Sequence, residues 1–148
     1  MIQLIIDNFI TIAGAILTIV FGGYVTYRIY RKNRIAEAST KFRNKILTEL
    51  QGLYPVTQYW EQGIFPRFSQ SIVKIESIAT EFRHFIPFYR KRDFDATLKN
   101  YCDYCNKITW NEVAAYAMYK NSMDTKDKGP REQFKNIIEH LLSFANKD

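Results

Sequence analysis

The sequence predicts an all-α protein: one N-terminal transmembrane helix followed by a cytoplasmic helical bundle of about four helices. Three observations carry this. No charged residue occurs from Asn8 to Tyr27, four basic residues follow within the next two turns, and the rest of the chain places apolar residues every three or four positions. The 148 residues suffice for one hydrophobic core and no more. Residues 1–34 form the expected anchor with its basic juxtamembrane segment, and residues 35–148 the expected cytoplasmic helical domain.

The uncharged block sets the first element. At about 1.5 Å per residue, its length as a helix reaches roughly 30 Å, the thickness of a bilayer's hydrocarbon core. A cleavable signal peptide would carry its basic residues before a shorter apolar run, whereas here Arg28, Arg31, Lys32 and Arg34 come after it. The positive-inside rule then puts the N-terminus outside and the C-terminus in the cytoplasm. Tyr24, Tyr27 and Tyr30 fall at the same boundary, where an amphipathic ring keeps its body in the acyl region and its hydroxyl among head groups. The membrane-interface set is therefore Tyr24, Tyr27, Arg28, Tyr30, Arg31, Lys32 and Arg34. Gly14, Thr18 and Gly22 recur every four residues, a spacing that lets two helices approach closely, so this face is a candidate for self-association. Gly and Thr are also common in membrane helices that make no such contact.

No Gly or Pro interrupts Tyr24 to Gln51, so the first helix is expected to run on into the cytoplasmic domain. Ile35, Ala38, Phe42, Ile46, Leu50 and Leu53 mark its core face, and Gly52 to Pro55 ends it. A loop from Pro55 to Phe65 follows, whose Tyr54, Tyr59, Trp60 and Phe65 read by default as core cover. Pro66 opens a second helix with the stripe Phe68, Ile72, Ile75, Ala79, Phe82 and Ile86, stopped by Pro87. A third helix begins in the basic turn Arg90, Lys91, Arg92 and buries Phe94, Leu98, Tyr101, Cys105 and Ile108. Thr109 and Glu112 have capping-box spacing ahead of a short helix over 110–119. Asn121 to Gly129 reads as an exposed loop. Pro130 then starts a last helix with Glu132 in its first turn and the stripe Phe134, Ile137, Ile138, Leu141, Leu142 and Ala145.

Lys41-Phe42-Arg43 with Leu47, Leu50 and Leu53-Tyr54-Pro55, then Glu81-Phe82-Arg83-His84-Phe85, and finally Phe134-Lys135 with Leu141 to Ala145, resemble a family of small bacterial single-pass membrane proteins of no established function. The likeness covers nearly the whole chain after the anchor. It implies a bacterial inner-membrane location and this fold, and it brings no catalytic residue with it.

Chemistry is sparse by comparison. Cys102-x-x-Cys105 with His84 and His140 supplies the donor types of a structural zinc, but there is no second pair at local spacing, and residues three apart on a helix simply share a face. Burial as small apolar side chains is the expectation taken, with no cofactor and no metal. Arg83, Arg90, Lys91 and Arg92 form a possible anion contact for phosphate or a phospholipid head group. His84 could serve as a general base, yet no nucleophile is paired with it, and no P-loop, dinucleotide loop, H-E-x-x-H or G-x-S-x-G occurs. Enzyme activity is not expected. The residues from Arg28 onward sum to +7, which Asp7 brings to +6 for the chain, and this basic balance favours anionic lipid as a contact; no nucleic-acid motif accompanies it. The expected function is a membrane-anchored helical adaptor or accessory protein that offers a protein-interaction surface at the cytoplasmic face. Its expected partners are membrane lipid, a protein, and a second copy through the anchor. The alternative, which the resemblance implies, is a membrane-acting effector, a toxin or phage-defence component, whose anchor oligomerises.

Overall fold

The computed structural model describes residues 2–55, 60–119 and 129–146, with the backbone alone described for 2–13, 15, 117 and 119. Among these residues the protein is all-α: α1 (Ile2–Glu49), a 3-10 turn (Gln62–Ile64), α2 (Phe65–Arg83), α3 (Phe88–Lys107), α4 (Trp110–Tyr119) and α5 (Pro130–Ser143), with no strand. The chain divides into two compact units, Met1–Glu37 and Ala38–Asp148.

The first unit is the N-terminal part of α1. Ile16, Leu17, Ile19, Val20, Phe21, Val25 and Ile29 are all exposed, and because successive helical residues are about 100° apart, they cover every side of the helix. Among the described residues no helix is long and apolar enough to cross a membrane. The expected crossing from Asn8 to Tyr27 thus finds no support among the described residues.

The second unit holds the core. α1 continues unbroken into it, as the absence of Gly and Pro predicts, and contributes Phe42, Ile46, Leu50 and then Leu53 to the interior. Gly52 ends the helix at φ +87°, a left-handed conformation that only glycine adopts without strain, and the Leu53 and Tyr54 amides donate back to the Leu50 carbonyl. α2 lies antiparallel to this segment: Lys41 and Lys45 reach Glu81 near its C-terminus, while Glu49 meets Lys74 and the Gln51 carbonyl accepts from Arg67 near its N-terminus. Pro66 stands in the first turn of α2, and the stripe Phe68, Ile75, Ala79 and Phe82 is buried, with Ile86 just beyond it.

Aromatic rings fill the two ends of the bundle. At one, Phe42 stacks on Phe82 at 4.2 Å and both lean on Phe94, which meets Phe144 edge-on at 5.2 Å. At the other, Trp60 packs edge-on against Phe68 and Phe134, so the residue expected as core cover is wholly buried. Tyr59 lies outside the described residues.

Two expectations shift and one is met. α3 starts at Phe88, immediately after Pro87, which places Arg90, Lys91 and Arg92 inside its first turns. The helix over 110–119 forms, and its capping box closes reciprocally: the Thr109 amide donates to Glu112 Oε2 at 3.2 Å, and the Glu112 amide to Thr109 Oγ1 at 3.4 Å. The expected loop from Asn121 lies outside the described residues up to 128. Gly129, its last member, is buried rather than exposed, with the Tyr116 ring pressed where a Cβ would stand.

The α1–α2 contact has a pH signature. Hydrogen bonds from Lys41 and then Lys45 hold the Glu81 carboxyl down at about 2, below its ordinary 4.5. A carboxyl depressed on folding adds stability above its unfolded value, and that contribution is lost as pH falls through the folded one. The melting temperature should therefore fall more steeply between pH 4.5 and about 2 in the native protein than in Glu81→Gln. Because the pair is exposed the difference is small, and parallel curves would assign Glu81 no role in the fold.

Candidate functional site

Among the described residues, two surfaces and a cavity hold side chains with chemistry to offer. The first surface is the stretch of α1 from Gly14 to Arg34. Tyr24, Tyr27, Arg28, Tyr30, Arg31, Lys32 and Arg34 are all exposed. The Arg28 guanidinium lies 5.7 Å above the Tyr24 ring and that of Arg34 5.8 Å above Tyr30. Both are i, i+4 pairs, so helical spacing alone was enough to find them. On the small-residue face, the Thr18 hydroxyl donates to the Gly14 carbonyl and that of Thr26 to Gly22, each at 2.9 Å. These hydroxyls are satisfied within the helix, and a Cβ at Gly14, Gly22 or Gly23 would meet nothing within 4 Å.

The second surface is the turn between α2 and α3 with the first turns of α3. The residues expected as one anion contact divide here. Arg83 grips Asp95 through two parallel hydrogen bonds of 2.7 and 2.8 Å, which raise the guanidinium and lower the carboxyl from their ordinary pKa values. Arg90 lies over the Phe144 ring at 4.9 Å. Lys91 adds its charge to the field on Asp95, and Arg92 is exposed. No carboxylate stands in the first turn of α3, where the helix dipole would favour one. Beside these cations, Phe88 is 90 % and Tyr89 79 % exposed. Sequence periodicity passed over both rings, because they precede the apolar stripe of α3.

The cavity, of about 550 Å³, lies among α3, α4 and the start of α5. Asp103, Lys107, Glu112 and Gln133 supply polar groups, and Tyr104 and Tyr116 supply rings. Burial raises the Tyr104 phenol above its ordinary range, and its hydroxyl donates to the Pro130 carbonyl. Glu112 is already engaged in the capping box. A phenol that already donates to a carbonyl and dispersed charges offer hydrogen bonds to a ligand rather than a nucleophile paired with a base.

The cysteines and histidines are not brought together. Cys105 is buried and its thiol pushed up to about 12 by burial; Cys102, pushed up to about 11 by burial and the nearby Glu76, donates to that carboxylate at 3.5 Å. Thiols held protonated are poor nucleophiles and poor metal ligands. His140 Nδ1 lies 3.2 Å from the Thr97 hydroxyl and Nε2 3.5 Å from Asp93, on α3, while His84 is exposed in the turn after α2. No group of three or more His, Cys, Asp or Glu able to hold a metal occurs among the described residues.

No protein-family model matches the chain, and no curated protein or solved structure does either. The family resemblance expected from the sequence finds no support in these comparisons.

Proposed function

We propose that this protein is a membrane-anchored helical adaptor, held in a bacterial inner membrane by α1 with its N-terminus outside, and presenting the Ala38–Asp148 bundle as a protein-interaction surface in the cytoplasm. One observation carries the reading. Ile16 to Ile29 expose large apolar side chains on every face of a helix, and a helix apolar all round calls for an apolar surrounding. The block ends where Arg28 and Arg34 lie over Tyr24 and Tyr30, a combination suited to the head-group layer. In this reading the bundle needs neither cofactor nor catalytic group, and nucleic acid is not a partner.

A second reading, a membrane-acting effector that oligomerises through its anchor, draws on the open space at Gly14 and Gly22 and on the internally satisfied Thr18, which together leave a smooth face for a second copy. Induced expression in cells loaded with a potential-sensitive dye separates the two. An adaptor leaves the membrane potential intact at expression levels that label the membrane fraction. Collapse of the potential, abolished by Gly14→Ile with Gly22→Ile, would replace the adaptor by the effector.

A further inference from the structure

We infer that the turn joining α2 to α3 is a second membrane contact, which docks on a bilayer surface rich in anionic phospholipid through Phe88 and Tyr89 and the cations around them. The inference rests on the membrane-anchored reading and adds an orientation of the bundle to it.

Three features of the turn support this. Two adjacent large aromatics stand in solvent, at 90 % and 79 % exposure, in a unit whose other phenylalanines described here are buried or half-buried. Leaving them in water forgoes the favourable burial of their apolar surface. Around them, Arg83, Arg90, Lys91 and Arg92 outnumber the two carboxylates of the segment, Asp93 and Asp95, and one of these is committed to Arg83. A ring pair flanked by surplus cations matches the layered chemistry of a bilayer surface, with apolar acyl chains just beneath negative head groups.

The position within the bundle supplies the third. Phe42 against Phe82 and Phe94, and Lys41 and Lys45 against Glu81, put the start of the second unit beside the C-terminus of α2. The turn is thus at the end of the bundle where the chain enters. Whatever the angle between the two units, Arg34 is four residues upstream of Ala38 and cannot lie more than about 14 Å from it. If Arg28 to Arg34 occupy the head-group layer, this end of the bundle lies within reach of the same layer. The far end, where Trp60 and Phe134 pack, does not share that constraint.

The test uses the full chain in nanodiscs whose lipids carry brominated acyl chains, which quench indole fluorescence on contact. Phe88→Trp places a reporter at the turn, Ile19→Trp places one in the anchor, and the unmodified chain supplies the background of Trp60 and Trp110. In discs containing phosphatidylglycerol, both reporters should lose emission; in pure phosphatidylcholine, the Phe88→Trp loss should shrink while that of Ile19→Trp stays. Lys91→Gln with Arg92→Gln, added to Phe88→Trp, should shrink it likewise in the anionic discs. Quenching at Ile19→Trp with none at Phe88→Trp overturns the docking and spares the anchor. Quenching at neither position overturns both. Equal Phe88→Trp quenching in the two lipids overturns the role given to anionic head groups.

Discussion

Phe82→Asp should abolish the cooperative unfolding of the Ala38–Asp148 unit. Phe82 is buried between α1 and α3, stacked on Phe42 at 4.2 Å and set against Phe94 at 6.2 Å. Removing such a ring costs about 3–5 kcal/mol in a core. A carboxylate placed there finds no cation inside the aromatic cluster, because the nearby Lys41 and Lys45 point outward to Glu81; an unpaired buried charge costs several kcal/mol more, or forces protonation. The total is comparable with the roughly 5–15 kcal/mol that holds a domain of this size together. Circular dichroism should show no cooperative melt and weakened near-ultraviolet signal. Phe82→Leu, which keeps an apolar side chain in place, should still melt cooperatively at a lower temperature. A Phe82→Asp variant that melts like the native protein would mean that this end of the bundle is not packed around Phe82.

That prediction was available from spacing alone, and the reason shows which features a sequence exposes. The stripes of α1, α2, α3 and α5 recur at three and four residues because each helix must turn one face inward, so Phe42, Ile46, Phe68, Ile75, Phe94, Tyr101, Phe134 and Ile138 were all identifiable before any coordinates. The capping box at Thr109 was equally plain, since both partners lie within four residues.

Other features depend on what faces a helix across the core, which no local pattern encodes. Ser71 and Thr97 are buried although polar, because each finds partners: Ser71 Oγ donates to the Phe68 carbonyl and shares a 2.6 Å hydrogen bond with Tyr101, and Thr97 Oγ1 donates to the Asp93 carbonyl. The pairing of Arg83 with Asp95 crosses from one helix to the next. The start of α3 at Phe88 escaped notice because its first two residues face solvent and so break the apolar period. Trp60 covers the core, as its place in an aromatic loop suggests, but its depth against Phe134, more than seventy residues away, is a tertiary fact.

The proposed anchor carries the other large expected effect, and the account depends on it. With Ile16 to Ile29 exposed on all sides, the helix either lies in lipid or leaves a large apolar surface in water, a surface of a size that soluble monomers rarely tolerate. Burying it in lipid at about 25 cal/mol per Å² makes insertion of a single helix effectively irreversible, whereas contact through Arg28, Arg31, Lys32 and Arg34 alone would be electrostatic and would yield to salt. Alkaline carbonate extraction of membranes separates these cases. The full chain should remain in the pellet through high salt and alkali, while a chain beginning at Ile35 should be found in the supernatant. Release of the full chain into the alkaline supernatant would contradict the anchor and, with it, the membrane-anchored adaptor.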